Sequence, residues 1–250
     1  FTVVLCLLVG LVHSGIVRVH EHLGSEALSK LDAPRLALLA QPGHPAPLSV
    51  PEQRAVAQGI AALHTVEQWG LIPSLGNSAR LAWLFALQNN TEQALEYAQQ
   101  GLGRNEWPGE MQQLIAHAKV GQGRTPEAIE HWEAAIQSSP ERPEAYLALG
   151  LAKAAANDLL AAQEVFDRGL AAVPGSPALS YNAALARALS GQTPASIPLF
   201  EQALKLNPDY RAARENLAGV YASLGQFDAS IRHYRFALAQ APDDAQTRVL

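Results

Sequence analysis

The sequence predicts an all-α protein, a solenoid of helical repeats, and three observations carry that prediction. Pro140, Pro174, Pro208 and Pro242 stand 34 residues apart, and self-similarity at that period is the mark of a stacked helix-turn-helix repeat. Small residues recur in phase with the prolines: Ala82, Ala116, Gly150, Ala184 and Ala218, then Ala94, Ala128, Ala162, Ser196 and Ser230, then Gly101, Ala135, Gly169, Ala203 and Ala237. Large residues answer them at Trp132, Phe166, Phe200 and Tyr234, with Ala98 in the same place of the first repeat. Small side chains let helix backbones approach, and aromatic ones fill the volume that remains.

Each repeat is read as helix, turn, helix. Asn89, Gly123, Asn157, Gly191 and Gly225 fall in register, and Gly and Asn tolerate the left-handed backbone of a tight turn. Helix starts follow. Thr125-Pro126 and Thr193-Pro194 read as an N-cap and a proline in the first helical position, while Thr91 and Asp158 are expected to cap two other helices.

Segments such as "AYLALGLAKAAANDLLAAQEVFDRGLAAVP" and "ARENLAGVYASLGQFDASIRHYRFALAQAP" resemble the tetratricopeptide repeat (TPR) family in their small-residue, aromatic and terminal-proline pattern. The resemblance covers 75–244 as repeats 75–108, 109–142, 143–176, 177–210 and 211–244, with Glu106 replacing the terminal proline of the first. It implies a right-handed superhelix of antiparallel helix pairs whose concave groove holds peptides or partner helices. Residues 245–250 read as the start of a further, incomplete helix, and a truncated end is expected.

Upstream of the repeats the chain is read in three parts. Residues 1–17, "FTVVLCLLVGLVHSGIV", are almost wholly apolar and end at Arg18, so 1–19 is expected to be a transmembrane anchor, with a cleavable secretory signal as the alternative. Seventeen residues sit at the lower limit for a span. Residues 20–50 follow as a juxtamembrane connector ending in the proline-rich "QPGHPAPLSVP". In 51–74, "PEQRAVAQGIAALHTVEQWG" places Val56, Ile60, Leu63 and Val66 on one helical side out of register with the repeats, as a capping helix over the first of them would. The expected location is a single-pass membrane anchor with periplasmic repeats, the cytoplasmic side remaining open.

Composition narrows the function. A net charge of −5 and a pI near 5.9 leave no basic stripe for nucleic acid. A single cysteine, Cys6, excludes an intramolecular disulfide framework and a cysteine-based zinc site. His20-Glu21-His22 lacks a third ligand, and neighbours two apart face different sides of a helix, so neither metal nor cofactor is expected. There is no P-loop, Rossmann glycine pattern, HExxH, CxxCH or GxSxG, so no catalytic residues are assigned and an enzyme is not expected. Asn89-Asn90-Thr91 matches a glycosylation sequon, which carries weight only in a eukaryotic secreted chain.

Binding is the remaining class. Carrying the family's groove positions onto this chain gives Trp83, His117, Leu147, Leu151, Tyr181 and Leu185, an apolar track for a partner protein or peptide. Asn182 and Asn216 resemble groove asparagines that hold a peptide backbone in some TPR proteins. Lys119, Lys153 and Arg187 recur at the repeat spacing as possible contacts to an acidic partner, the competing reading being stems packed between helices with tips in water. The function expected is a non-catalytic, membrane-tethered TPR scaffold in a bacterial envelope complex. The alternatives are a regulatory region of a larger membrane enzyme of the glycosyltransferase or oligosaccharide ligase type, and a permanent subunit of a respiratory, photosynthetic or secretion assembly.

Overall fold

The computed structural model describes residues 18–19, 22–24, 26, 48–69 and 76–240. Eleven helices account for the long segments: α1 (Val50–Trp69), α2 (Asn77–Leu87), α3 (Thr91–Gly103), α4 (Pro108–Gly121), α5 (Thr125–Ser138), α6 (Pro143–Ala155), α7 (Leu159–Ala172), α8 (Pro177–Leu189), α9 (Thr193–Leu206), α10 (Arg211–Ser223) and α11 (Phe227–Gln240). The chain divides into two compact units, residues 1–139 and 140–250. No strand is present among the described residues.

The phase of the repeat is set at its turns. Asn89, Gly123, Asn157, Gly191 and Gly225 all adopt positive φ, between 60° and 83°, and each closes the first helix of its pair. Two of the five are asparagines, whose short polar side chain makes the left-handed region less costly than it is for other L-residues. The second helix then starts one residue earlier than the threonines suggest. Asn90 rather than Thr91 caps α3, its Oδ1 accepting from the Gln93 amide at 3.3 Å. Thr125 and Thr193 are likewise already helical, after Arg124 and Gln192, which make no side-chain cap. The expected threonine caps are corrected by the turn, which delivers the chain into helical geometry immediately. Asp158 does cap α7, accepting from the Ala161 amide at 3.1 Å.

Within the N-terminal unit, α1 shares one hydrophobic core with α2, α3 and α4, built from Val56, Leu63, Leu81, Trp83, Leu84, Phe85, Tyr97 and Met111. Ala98 leaves the room that Phe166 or Phe200 occupies in later repeats. In this unit Tyr97 and Phe85 are buried as a stacked pair, ring centroids 5.6 Å apart. Tyr97 also donates its hydroxyl to Glu67 of α1 at 3.1 Å. Burial, then the Glu67 charge, raises that hydroxyl's pKa to about 12. Glu106, standing where later repeats carry proline, is buried and does something no proline could. Its carboxylate accepts from the Ala79 amide at 3.1 Å, in the first turn of α2. A negative group there meets unpaired amides and the positive end of the helix dipole.

Within the C-terminal unit the small-large pairing is direct. A Cβ added to Gly150 of α6 would lie 2.3 Å from Phe166 Cε1 of α7, so the glycine is required by the ring it faces. Phe200 is fully buried against Ala184, Ala203, Ala213 and Leu217 in the same manner.

No helix among the described residues is long and apolar enough to cross a membrane. The expected anchor at 1–17, the connector from 27 to 47, His20-Glu21 and the expected further helix at 245–250 lie outside the described residues.

Candidate functional site

The first helices of the repeats, α2, α4, α6, α8 and α10, carry the side chains the sequence assigns to partner binding. Positions four apart on one helix share a face, which aligns Leu147 with Leu151 on α6 and Tyr181 with Leu185 on α8. All four are half-exposed. Tyr181 and Leu185 rest on the Phe200 core below and leave their other sides to solvent. Tyr181 is held firmly: its ring lies 5.0 Å from that of Tyr210 and 6.0 Å from that of Phe200, and its hydroxyl accepts from Asn216 Nδ2 at 3.1 Å. Burial raises the pKa of both tyrosines, so they are neutral phenols at physiological pH.

The two asparagines behave as a pair. Asn182 Nδ2 donates to the Ala178 carbonyl at 2.8 Å and Asn216 Nδ2 to the Ala212 carbonyl at 2.9 Å, each one turn back on its own helix. Asn216 thus uses both of its amide hydrogens within the fold, on Ala212 and Tyr181, and Asn182 uses one.

The N-terminal unit differs. Trp83 is only 8% exposed and belongs to the core that α1 completes, so it is a packing residue there and forms no wall of an open groove. His117 is half-buried with its ring edge-on to Trp132, centroids 5.9 Å apart, and its Nε2 is buried without a hydrogen-bond partner. Burial lowers its pKa to about 4, so the imidazole is neutral at pH 7.

The basic ladder also resolves residue by residue. Lys119 Nζ pairs with Glu127 at 3.0 Å. Arg187 forms a two-pronged contact with Asp167 of α7, at 2.9 and 2.8 Å, and donates to the Ala183 carbonyl at 3.3 Å. These two cations are therefore engaged by the chain's own carboxylates. Lys153 is half-buried and has no acidic partner among the described residues. A further regularity escapes the sequence reading. Arg187 meets Asp167, 20 residues back, and Tyr221 donates to Glu201, also 20 residues back, at 3.1 Å. A strut thus joins each of these first helices to the second helix of the repeat before it. Reading each of these first-helix positions against the one 20 residues back, Arg187 against Asp167 and Tyr221 against Glu201, is the signal that would have revealed it.

Among the described residues no group of three or more His, Cys, Asp or Glu side chains is placed to hold a metal ion.

An all-α array of paired helices with left-handed turns at a 34-residue period defines a helical-repeat protein. A family profile described as tetratricopeptide repeat matches residues 114–177 and a second of the same description matches 187–249, together just over half the chain. The chain belongs to the tetratricopeptide-repeat family. Solved structures share the fold. The crystal structure of MamA superposes with a TM-score of 0.56 at 17% identity, covering 69% of this chain and 94% of MamA. YrrB, described as a TPR protein with an unusual peptide-binding site, gives 0.57 at 16% identity, over 74% and 94% of the two chains. TTC0263, a TPR protein of Thermus thermophilus, gives 0.50 at 25% identity, over 69% and 94%. No curated protein matches the sequence.

Proposed function

We propose that this chain is a non-catalytic TPR scaffold that holds a partner protein or peptide against the first helices of its C-terminal unit. The observation that carries the reading is the half-exposed apolar stripe of Leu147, Leu151, Tyr181 and Leu185 over an otherwise packed core. Tyr181 is a rigid aromatic, and interface energy concentrates on such anchors. Two of the neighbouring cations are self-paired, Arg187 with Asp167 and Arg211 with Glu215, which leaves the apolar side chains as the stripe's main feature. Peptide binding by YrrB, a TPR protein of similar fold, agrees with this use of the architecture.

Tethering to a membrane through residues 1–17, with the repeats on the periplasmic side of an envelope complex, belongs to the same proposal. Its support is the apolar run in the sequence. Membrane fractionation of the chain with and without residues 1–17 tests the tether: loss of membrane recovery on deletion is the expected result.

The binding assignment is tested by a mild-detergent pull-down of the chain beside Leu147→Glu/Leu151→Glu, with quantitative mass spectrometry. A stoichiometric partner present with the parent chain and absent with the variant is expected. Equal recovery from both places the contact elsewhere and removes the assignment.

A further inference from the structure

The seam between α8 and α10 carries a pair of aromatic rings that the repeat does not need for packing. Tyr181 and Tyr210 stand with ring centroids 5.0 Å apart, both half-buried, and Tyr181 rests on the fully buried Phe200. At the place of Tyr181 the other repeats carry Ala79, Gln113, Leu147 and Glu215, and at the place of Tyr210 the preceding ones carry Pro108, Arg142 and Ser176. Ser176 is the N-cap of α8 and accepts from the Leu179 amide at 3.2 Å, whereas Tyr210, in the same place before α10, makes no side-chain cap. Here a helix start has exchanged its cap for a ring. A local stability rule broken in this way marks a functional position.

The polar atoms of the pair suit a ligand that brings hydrogen-bond acceptors. Asn216 Nδ2 donates to the Tyr181 hydroxyl at 3.1 Å, which occupies a lone pair and leaves the phenol proton to be donated. The Tyr210 hydroxyl has no hydrogen-bond partner among the described residues, and burial and then the Tyr181 phenol raise its pKa, so the two hydroxyls are neighbours. Asn216 spends both amide hydrogens on Ala212 and Tyr181, so only its carbonyl is left, enough for a single N–H of the ligand. Arg211 and Glu215 bind each other at 2.5 Å and bring no free charge to the seam. An α-helix cannot answer the two phenols, because its carbonyls are bonded within the helix. A polyproline II segment can. It has no internal hydrogen bonds, its prolines bring carbonyls without N–H groups, and its rings pack on aromatic faces.

We infer that the seam of Tyr181 and Tyr210 receives a proline-rich, extended segment of a partner protein, with prolyl rings against the two aromatic faces and backbone carbonyls accepting from the two phenols. The inference rests on the reading of the α6 and α8 stripe as the binding face, and it names the chemistry that this face holds.

The test uses the full chain and three fluorescein-labelled peptides: PPLPPLPPL, its counterpart AALAALAAL, and a stapled helix of that second sequence. Fluorescence anisotropy is expected to show the proline peptide binding about fivefold or more tighter than either of the others, since it alone brings free carbonyls in a preformed extended chain. Tyr181→Phe/Tyr210→Phe keeps both rings and removes both phenol oxygens. It is expected to weaken the proline peptide by about fivefold or more, two hydrogen bonds being lost, and to leave the other two peptides and the thermal midpoint near the parent values. Equal affinity for the three peptides, tighter binding of the helix, no binding by any, or unchanged affinity in the double phenylalanine variant overturns the inference. The Leu147→Glu/Leu151→Glu pull-down separates this from failure of the binding face: a partner lost there while the proline peptide shows no preference removes the inference alone, and equal recovery there removes the face. Proline-peptide binding that appears only after deletion of residues 41–47 makes the chain's own "QPGHPAP" the occupant and overturns the inference, as does self-association in sedimentation velocity that the same deletion abolishes.

Discussion

The N-terminal and C-terminal units carry the same 34-residue pattern, and one register place is used differently in the first repeat than in those of the C-terminal unit. At the register place where the N-terminal unit has Trp83 and His117, the C-terminal unit has Leu151 and Leu185. Trp83 is sealed into the core that α1 completes, while His117, with its ring on Trp132, is no more buried than the two leucines. Leu151 and Leu185 stay half-exposed. A repeat position therefore does not have a fixed role. What stands beside it decides whether an apolar side chain is a packing group or a binding one, and in the N-terminal unit that neighbour is a helix outside the repeat pattern.

This contrast is broken or sharpened by substitution. The largest effect is expected at Trp83. Trp83→Ala should cost about 3–5 kcal/mol, as for other buried aromatic truncations, whereas Leu151→Ala should cost under about 1.5 kcal/mol, both read from urea midpoints at constant slope. Similar costs at the two positions would erase the difference between the units. Next comes the seam between paired helices. Gly150→Val should destabilise by about 3 kcal/mol because Phe166 cannot retreat from a Cβ placed at 2.3 Å, while Leu151→Glu, one residue further on, should leave the thermal midpoint nearly unchanged.

A pH effect of intermediate size belongs to the N-terminal unit. Burial holds His117 at about 4 in the folded chain against an ordinary value of 6.5. The unfolded chain thus binds the proton more readily, so the histidine costs no stability above pH 6.5 and progressively lowers it as pH falls from 6.5 toward 4, by on the order of 1–3 kcal/mol. Urea titrations at pH 7, 5.5 and 4.5 should show a shallower decline for His117→Leu than for the parent. A smaller effect is expected from Glu106→Ala, which removes the carboxylate from the start of α2 and should cost about 1 kcal/mol in the same urea assay at pH 7. The smallest belongs to the strut. Arg187 and Asp167 are both partly exposed, and a double-mutant cycle on Arg187→Gln and Asp167→Asn should give a coupling of about 0.5 kcal/mol, diminishing in salt.

Much of the fold is legible in the sequence because its determinants are local and periodic. The turn residues have to be Gly or Asn, and each of the five has positive φ; the small residues have to face rings, and Gly150 meets Phe166. What the sequence obscures are features set by a neighbour that the period does not encode. Lys119 reads as available because its partner Glu127 stands eight residues on, on the other helix of the pair. Trp83 reads as a groove wall because nothing in its own repeat announces α1. Asn182 and Asn216 stand one repeat apart, yet the donation of their amide groups to Ala178 and Ala212 depends on rotamers rather than on spacing. Glu106 stands out only as a missing proline, and its capping of α2 needs a contact across 27 residues.

The central claim is that the shared register place is open to a partner at Leu151 and filled at Trp83. Site-specific photo-crosslinking tests it most directly, with a benzophenone side chain placed at Leu151 in one sample and at Trp83 in another, each irradiated with the partner bound. An adduct to the partner from position 151 and none from position 83 is the predicted result. An adduct from position 83, or none from 151 while the partner remains bound, would contradict it.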